Sequence, residues 1–377
     1  MQRIEIAPRP EWERRVEEVA LVYHTSEGRP YWNESAYYAF SAAQVDVLEA
    51  ATNDLHEMCL AAVQHVIDRD LFARLGIPPH AVPLIRRTWD EEPPSIYGRF
   101  DFSWSGHGAP KMLEYNADTP TSLLEAGVVQ WYWLQDALPG RDQFNSIHER
   151  LIRTWGELRP YLRGPVLHFA SLDEPEDLVT VSYLRDTAEQ AGIAPRHLPV
   201  ERIGFHREWG TFVDEEERPI DALFKLYPWE WMVHEAFGPH LGTAGTEWME
   251  PAWKMVLSNK GILAVLWELF PGHPNLLPAY FEEYLLDGRD YVRKPLLSRE
   301  GANVAIRRVF EPGFETGGDY GEEGHVFQEY APLPDFGGVR PVIGAWIIGQ
   351  EAAGIGIRES DGPVTDNTSR FVPHALV

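Results

Sequence analysis

Residues 96–116 read IYGRFDFSWSGHGAPKMLEYN, in which two runs of alternating apolar and polar residues flank a glycine-containing loop. This pattern predicts a β-hairpin. Because side chains alternate between the faces of a strand, Arg99 and Asp101 are expected to share one face of the first strand. Glu114 and Asn116 are expected to share one face of the second. Where these two polar faces coincide, one hairpin carries two carboxylates, an amide and a guanidinium.

The spacing alone leaves two interpretations of this polar cluster open. Carboxylate and amide oxygens are ligands suited to Mg²⁺, which keeps several waters and bridges phosphates. A guanidinium beside them suits bidentate binding of a carboxylate or phosphoryl group. The same side chains could instead form an exposed, salt-bridged strand face, which is common on antiparallel sheets.

The loop after the hairpin, ADTPTSLLEAG (117–127), is rich in hydroxyl groups and precedes a helix predicted to begin near Leu123. Backbone N–H groups at a helix start, with hydroxyls beside them, can bind a carboxylate. An ordinary helix cap is the alternative, in which Ser122 is the N-cap residue and Glu125 completes a capping box. Both interpretations can hold together.

Two lysines on separate elements form a candidate phosphate site. Lys260 closes WKMVLSNK (253–260), and Lys294 ends the strand YVRK ahead of the glycine-containing turn SREGANV (298–304). Ammonium groups can bind phosphates as point charges. The alternative for Lys260 is a solvated helix end. Neither GxxxxGK[ST] nor GxGxxG occurs, so P-loop and Rossmann sites have no support.

A third candidate lies at the end of the apolar strand in HVFQEYAPLP (325–334), where Gln328 and Glu329 follow one another. An amide and backbone groups at such a position could bind the edge of an adenine ring.

The wider pattern is that of a mixed α/β protein. Apolar residues at three-to-four spacing predict a helix over 41–75, and 254–270 is also predicted helical. The segment 164–200 is predicted to form a βαβ unit, and 220–227 a further strand. Short, glycine-rich strands follow, which predicts a mostly antiparallel C-terminal third. Three approximate domains are expected: 1–163 with the hairpin, 164–240 with the βαβ unit, and 241–377.

Composition excludes several classes of function. The 377 residues carry a net charge of −25, which argues against nucleic acid as a partner. There is no apolar signal-like segment at the start and no apolar run of about 18 residues. The sequence therefore predicts a cytoplasmic protein that does not bind membranes. A single cysteine, Cys59, excludes an intramolecular disulfide.

Taken together, these stretches resemble the glutathionylspermidine synthetase family of ATP-grasp ligases. LEYN, followed by the hydroxyl-rich loop, is also similar to the metal-and-peptide motif of eukaryotic-type glutathione synthetases. The resemblance implies an ATP-grasp fold with a pre-ATP-grasp-like βαβ domain and a glycine-rich antiparallel lid. The matching stretches cover nearly the whole chain in the family's order: YWNESAYYAF (31–40), YGRFDF (97–102), LEYNADTPTSLLEAG (113–127), FNSIHERL (144–151), EPAWKMVLSNKGILAVLWELFPGHPNLL (250–277), YVRKPLLSREGANV (291–304), FQEYAPLPDF (327–336) and IGAWIIGQEAAGIGIRES (343–360).

The same resemblance implies roles for individual residues around ATP and the metal. Arg99 would steady the substrate carboxylate and its acyl phosphate. Arg299 and Arg358 would close over the transferring phosphoryl group. The residues expected to hold two Mg²⁺ ions and ATP are Asp101, Glu114 and Asn116 for the metal, Lys260 and Lys294 for the phosphates, and Gln328 and Glu329 near the adenine.

The substrate residues are implied in the same way. Thr119 and Thr121 stand where the family more often has serine, in contact with the peptide substrate. Glu176 and Asp177 open the helix after SLDEP and fall where the family places acidic residues for the amine. Acidic residues are also ordinary at helix starts, where they interact favourably with the helix dipole.

The implied reaction is ATP-dependent amide formation through an acyl phosphate, between a peptide-like carboxylate and a polyamine or another amine. Bifunctional members carry an upstream amidase domain with a Cys-His pair. Cys59 falls in the middle of a predicted helix, so no amidase activity is expected. Two alternatives are a nucleotide-binding regulator without chemistry and, leaving the resemblance aside, a glycosidase that uses paired carboxylates.

Overall fold

The structure is a computed structural model that describes residues 1–26, 28–366 and 368–377. A π-helical turn, Glu125–Val129, leads directly into the fourth helix. The α-helices are α1 (Trp12–Glu17), α2 (Ala42–Arg69), α3 (Val82–Glu91), α4 (Gln130–Ala137), α5 (Ile147–Leu158), α6 (Pro175–Gln190), α7 (Trp229–Met232), α8 (Lys254–Ser258) and α9 (Ile262–Leu269).

The strands are distributed over several sheets. They are β1 (Gln2–Glu5), β2 (Thr25–Ser26), β3 (Arg29–Pro30), β4 (Ala36–Phe40), β5 (Tyr97–Ser103), β6 (Lys111–Asn116), β7 (Leu167–Ser171), β8 (Pro195–Pro199), β9 (Gly204–His206), β10 (Thr211–Val213), β11 (Ala222–Leu226), β12 (Glu247–Met249), β13 (Ala279–Tyr280), β14 (Tyr291–Pro295), β15 (Ala305–Arg307), β16 (Phe314–Glu315), β17 (His325–Glu329), β18 (Arg340–Ile348), β19 (Glu351–Ser360), β20 (Arg370–Val372) and β21 (His374–Leu376).

A five-stranded antiparallel sheet, in the order β20-β19-β18-β5-β6, forms the centre of the fold. Every residue of β5 is buried, and β18 and β6 flank the strand in the sheet. The predicted hairpin over 96–116 is therefore confirmed as the pair β5–β6. We call this layer the central sheet.

A second five-stranded antiparallel sheet, in the order β13-β17-β14-β15-β16, lies against the hairpin. Its contact with the central sheet is made by polar groups: Lys294 on β14 donates to the Leu113 carbonyl of β6, and Gln328 on β17 donates to the Met112 carbonyl. We call this layer the lysine sheet. The prediction of an antiparallel C-terminal third is confirmed.

The predicted βαβ unit is also confirmed. β7, α6 and β8 follow one another, and β7 pairs with β8 in parallel. The strand predicted over 220–227 is β11, which pairs in parallel with β7 and β12, so that the sheet order is β12-β11-β7-β8. Parallel strands need covering layers, and α6 supplies one of them through buried residues such as Val181 and Leu184.

The helix predicted over 41–75 is α2 followed by a 3₁₀ turn at Leu71–Leu75. Ser41 and Gln44 form a capping box that satisfies backbone N–H groups at its start. Cys59 is fully buried on the core side of α2, as its place in the apolar stripe predicts.

The single helix predicted over 254–270 is wrong, because the chain breaks it between α8 and α9. Asn259 is extended, and its side-chain oxygen accepts from the Gly261 N–H at 2.8 Å. The Lys260 N–H instead donates to the Leu296 carbonyl, at the end of β14. A Cβ on Gly261 would lie 2.7 Å from Leu75, so the break needs glycine there. The break turns Lys260 toward the hairpin.

None of the helices in the described part of the chain is long and apolar enough to cross a membrane.

A buried ion pair anchors the start of β5. Glu250 and Lys254 are 0% and 2% exposed and bind each other. Glu250 also accepts from the Ile96 N–H at 2.9 Å, and Lys254 donates to the Tyr97 carbonyl at 2.7 Å. The strand that carries Arg99 thus begins at a charged anchor.

We expect Glu250→Gln to lower the free energy of unfolding by about 3–5 kcal/mol, since it leaves the Lys254 ammonium buried without its counter-charge. Chemical denaturation measures the change. The matched control is Arg14→Gln, which removes an exposed ion pair with Glu18 and should leave the unfolding midpoint unchanged. Equal midpoints for the two variants would contradict the anchoring role.

Candidate active site

The β5–β6 register brings together the four polar residues that the sequence places on one face. Arg99 lies opposite Asn116, and Asp101 lies opposite Glu114, with a bulge only after Asp101. Arg99 donates through Nε to Asp101 Oδ1 at 2.8 Å. Arg99 and Asp101 are only 6% and 3% exposed. The alternative of an exposed, salt-bridged strand face is therefore wrong.

Asp101 binds a second arginine that comes from another strand. Arg358 on β19 donates through Nη2 to Asp101 Oδ2 at 2.9 Å, reaching across β18. Gly344 on β18 makes room, because a Cβ there would lie 2.9 Å from Cδ of Arg99. Arg99 also donates to the Thr121 carbonyl at 2.8 Å, which ties the hairpin to the hydroxyl-rich loop.

The two candidate phosphate lysines converge on the hairpin from the other side. Lys260 Nζ lies 2.9 Å from Glu114 Oε2 and donates to the Ser298 carbonyl at 2.7 Å. Lys294 Nζ donates to the Leu113 carbonyl and to Gln328 Oε1, both at 2.8 Å. The solvated helix end considered for Lys260 is wrong, since Lys260 pairs with Glu114.

The charged groups in this cluster shift one another's pKa values. Burial opposes ionisation of Glu114, but the positive charges of Lys260 and Lys294 hold its pKa well below the ordinary value. Burial lowers the pKa of Lys294 to about 8, although Glu114 acts in the opposite direction. Lys294 therefore sits where a further negative charge would stabilise its ammonium form.

A cavity of about 100 Å³ opens between the central sheet and the lysine sheet. We call it the lysine cavity. Of the predicted residues, Asp101, Glu114, Lys260, Lys294, Gln328 and Glu329 line it. The amide of Gln328 accepts a hydrogen bond from Lys294 and donates one to the Met112 carbonyl. The carboxylate of Glu329 accepts a hydrogen bond from Arg289. Apolar side chains complete the wall, among them Val292, Ile306, Leu333 and Val342.

A larger cavity, of about 650 Å³, lies on the other side of the Asp101–Arg358 ion pair. We call it the acidic cavity. The remaining predicted residues that line it are Thr119, Thr121, Glu176, Asp177, Arg299 and Arg358. Asp101 faces the lysine cavity while Arg358 faces the acidic cavity, so this ion pair joins the two spaces.

Arg299 reaches into the acidic cavity from the turn after β14. It donates through Nη2 to Thr119 Oγ1 at 2.5 Å and lies 3.4 Å from Glu230 Oε1. Its guanidinium also lies over the ring of Trp231. In the same cavity, burial and then Glu176 raise the pKa of Asp177 to about 6, against the opposing charge of Arg299. The cavity is thus lined by both cationic and acidic side chains.

Sequence reasoning missed a buried pair behind the loop. Lys225 on β11 and Asp118 are 1% and 0% exposed and bind each other, and Asp118 also accepts from the Trp229 N–H at 2.9 Å. These contacts fix the loop that carries Thr119. A lysine in the middle of the apolar strand IDALFKLY was the available signal.

The capping box expected for Ser122 and Glu125 is wrong. The side chain of Glu125 accepts from the hydroxyls of Tyr31 at 2.6 Å and Tyr23 at 3.0 Å, and the Ser122 hydroxyl lies 3.3 Å from that of Tyr31. Tertiary partners therefore replace the local cap. Both tyrosines and Ser122 line the acidic cavity, a role that no local pattern in the sequence indicates.

The donor set on the hairpin fits a magnesium ion bound with a nucleotide. Among the described residues, no group of three His, Cys, Asp or Glu side chains is placed to hold a metal. Magnesium, however, is usually bound through one or two carboxylates together with substrate phosphates. Asp101 and Glu114 lie opposite each other in the lysine cavity, and the amide of Asn116 lies 3.2 Å from Glu114.

Comparison with known proteins finds several relatives of this chain. A protein of Haemophilus influenzae named "Putative acid--amine ligase" is 43% identical over the full length of both chains. Trypanothione synthetase of Crithidia fasciculata is 30% identical over 84% of this chain, and the bifunctional glutathionylspermidine synthetase/amidase of Escherichia coli is 26% identical over 90%. The chain spans 53% and 59% of the length of these last two proteins.

These relatives identify the protein as an ATP-dependent carbon–nitrogen ligase. The sequence model of the family described as glutathionylspermidine synthase preATP-grasp matches residues 3–377, and the chain belongs to this family. The glycosidase alternative therefore has no support.

Solved structures give a weaker likeness. The structure of a "Putative gamma-glutamylcysteine synthetase" from Methylobacillus flagellatus matches with a TM-score of 0.45 at 11% identity, over 86% of this chain and 88% of that one. The score is too low to establish a shared fold.

We expect the ammonium of Lys294 to titrate near pH 8, the value to which burial lowers its pKa. Glu114→Gln removes a charge that raises this pKa, so the midpoint should move to still lower pH. With five lysines in the chain, NMR of lysine-labelled protein can follow the titration, and Lys294→Arg assigns the signal by removing it. An unchanged midpoint in Glu114→Gln would contradict the coupling.

Proposed function

We propose that this protein joins a small-molecule carboxylic acid to a small-molecule amine at the expense of ATP, through an acyl phosphate. The Asp101–Arg358 ion pair carries this proposal, because it joins a cavity whose two lysines suit phosphate groups to a larger cavity with room for two other substrates. A phosphoryl group leaving the first cavity would meet a carboxylate held in the second.

The lysine cavity is the proposed ATP site, between two antiparallel sheets as in an ATP-grasp enzyme. Lys260 and Lys294 would bind the phosphates, since both ammonium groups already face negative or carbonyl oxygens there. The apolar wall around Val292 and Ile306 suits the base. In this proposal residues 241–377 form the nucleotide-binding and lid region.

The hairpin is the proposed metal site. Asp101, Glu114 and Asn116 would hold Mg²⁺, whose chemistry is to neutralise charge on the phosphoryl oxygens during transfer. Two ions are expected from the family resemblance. The guanidiniums of Arg99 and Arg358 hold Asp101 in place before any nucleotide arrives.

The arginines of the acidic cavity form the proposed site of the acid. Arg299 and Arg358 line the cavity together with Thr119 and Thr121, which provide hydroxyls. Arg99, which is bonded to the Thr121 carbonyl, would steady the loop and the acyl phosphate. Arginine suits both the free acid and its acyl phosphate, because it binds carboxylate and phosphoryl oxygens in a bidentate manner.

The two carboxylates at the start of α6 form the proposed site of the amine. Glu176 and Asp177 lie in the first turn of α6 and face the same cavity as Arg299. Their negative charge would attract an ammonium group and place its nitrogen near the acyl carbon. Because an acyl phosphate hydrolyses readily, the cavity must close before transfer, and the turn that carries Arg299 is the proposed closing segment.

The names of the relatives suggest the kind of substrate. Two relatives are a trypanothione synthetase and a glutathionylspermidine synthetase/amidase. We therefore propose a peptide-like acid, with a polyamine or another amine as its partner. The 650 Å³ of the acidic cavity has room for both.

The test of this function is a screen for ADP and phosphate release with Mg²⁺-ATP. Thiol peptides and short peptides are paired with polyamines and amino acids, and products are followed by mass. We expect release that requires one acid and one amine, with a product lighter than their sum by one water. ATP binding without turnover across the panel would favour the alternative of a non-catalytic nucleotide-binding regulator.

In the active pair, we expect Asp101→Asn and Glu114→Gln each to lower ADP release at least about 100-fold while the fold survives, because each removes a proposed metal ligand. Circular dichroism and the unfolding midpoint check the fold. The control is Asp335→Asn, which removes a surface carboxylate paired with Arg340 and should retain full activity. Full activity in either hairpin variant would contradict the proposed metal site.

A further inference from the structure

One buried carboxylate differs from all others in the part of the chain that the structure describes. Six of the seven buried acids have an arginine or lysine within 4.0 Å, and Glu125 has none. A buried carboxylate without a counter-charge is costly, so its retention calls for a reason. The six with a cationic partner are Glu34, Asp101, Asp118, Asp214, Glu250 and Glu359.

The neighbours of Glu125 are tyrosines. Its Oε1 accepts from Tyr31 at 2.6 Å and from Tyr23 at 3.0 Å. Its Oε2 is buried and has no hydrogen-bond partner among the described residues. The residue opens the π-helical turn Glu125–Val129, a kind of turn that is frequent at functional sites. One oxygen of this group is thus engaged, and the other is free to take a proton.

Tyr31 links Glu125 to the substrates. It lines the acidic cavity together with Tyr23, Glu176 and Asp177, whereas Glu125 does not line the cavity. Of the two tyrosines, Tyr31 makes the shorter hydrogen bond to Glu125 Oε1, 2.6 Å against 3.0 Å for Tyr23. Tyr31 thus lines the cavity, and its hydroxyl donates to Glu125 Oε1 at 2.6 Å. This is the geometry of a short proton path from the proposed amine site into the protein.

The side chains that shift the pKa of Glu125 are either acidic or neutral. Tyr23 and Tyr31 face it from the N-terminal segment, and Glu176 faces it from α6. Arg99 interacts electrostatically with Tyr31, the partner of Glu125. Burial and then Glu176 raise the pKa of Glu125 to about 7, against the hydrogen bonds from the two tyrosines. A group with this pKa can accept and release a proton near neutral pH.

We propose that Glu125 is the terminal acceptor of the proton that the attacking amine loses, and that Tyr31 conducts it. The proposal rests on the ligase function above. Glu176 and Asp177 can locate an ammonium group, but an amine attacks only once its nitrogen has a free electron pair. In this proposal Glu176 and Asp177 bind the ammonium group as anions, and the proton leaves by the Tyr31–Glu125 path.

The step balances in atoms and charge. The amine nitrogen forms a bond to the acyl carbon, and the bond from that carbon to the phosphate oxygen breaks, with the electron pair leaving on phosphate. A proton on nitrogen passes to the Tyr31 oxygen as the tyrosine's own proton passes to Glu125. Glu125 ends as a neutral carboxylic acid and returns its proton to solvent when the product leaves.

The test compares Glu125→Gln and Tyr31→Phe with the wild-type protein in the acid–amine pair found by the screen. In the wild-type protein we expect kcat to fall about tenfold per pH unit below pH 7, as for a required base. In both variants this dependence should vanish and kcat should be lower by about 100-fold, with a smaller change in KM for the amine. Either variant tests the path if the other fails to fold.

Tyr23→Phe is the matched control, because it removes the other tyrosine from the same oxygen. Its hydrogen bond lowers the pKa of Glu125, so its loss should move the acid limb to higher pH without abolishing it. A flat profile in Tyr23→Phe with an intact limb in Tyr31→Phe would overturn the path through Tyr31.

Hydroxylamine separates this proposal from the ligase proposal. It is unprotonated at neutral pH and needs no base, so hydroxamate formation should remain near the wild-type rate in Glu125→Gln. A loss of hydroxamate equal to the loss of amide, or a loss confined to KM with the pH limb retained, would overturn the proton-acceptor role. Failure of the wild-type protein to form hydroxamate would instead contradict the acyl phosphate itself.

Discussion

The arrangement of the site depends on the two guanidiniums that hold Asp101. Burying this carboxylate requires compensation, and Arg99 and Arg358 provide it from β5 and from β19, two strands away. The contact can form only if β5, β18 and β19 keep one register and if β18 offers no side chain at Gly344. The register of the central sheet thus also fixes the position of the candidate metal site.

The part of this arrangement that depends on local pattern could be predicted from the sequence. Alternation along β5 and β6 placed Arg99, Asp101, Glu114 and Asn116 on one face, and the antiparallel register confirms it. Residues that come to the site from distant parts of the sequence could not be predicted from local sequence pattern. The positions of Arg299 and Arg358 followed only from family resemblance, because nothing in a short window relates them to Asp101.

The errors have the same origin. Ser122 and Glu125 have the spacing of a capping box, but tyrosines about a hundred residues earlier in the chain bind Glu125 instead. The periodicity of 254–270 is helical, but Asn259 and the Leu296 carbonyl offer other partners to the backbone at the break. In both places tertiary hydrogen bonds override a local preference, and a single sequence does not reveal them.

The break at Lys260 has a mechanical consequence. This one residue is bonded through its backbone to Leu296, and through its ammonium group to Ser298 and to Glu114 of the hairpin. The two sheets therefore cannot separate at this edge without releasing a charged contact. Lys260 therefore holds the two sheets together through a contact that a competing negative charge would weaken. A polyanion that bound between the sheets would attract the Lys260 ammonium group away from Glu114, so binding in the cleft would also make the two sheets easier to separate.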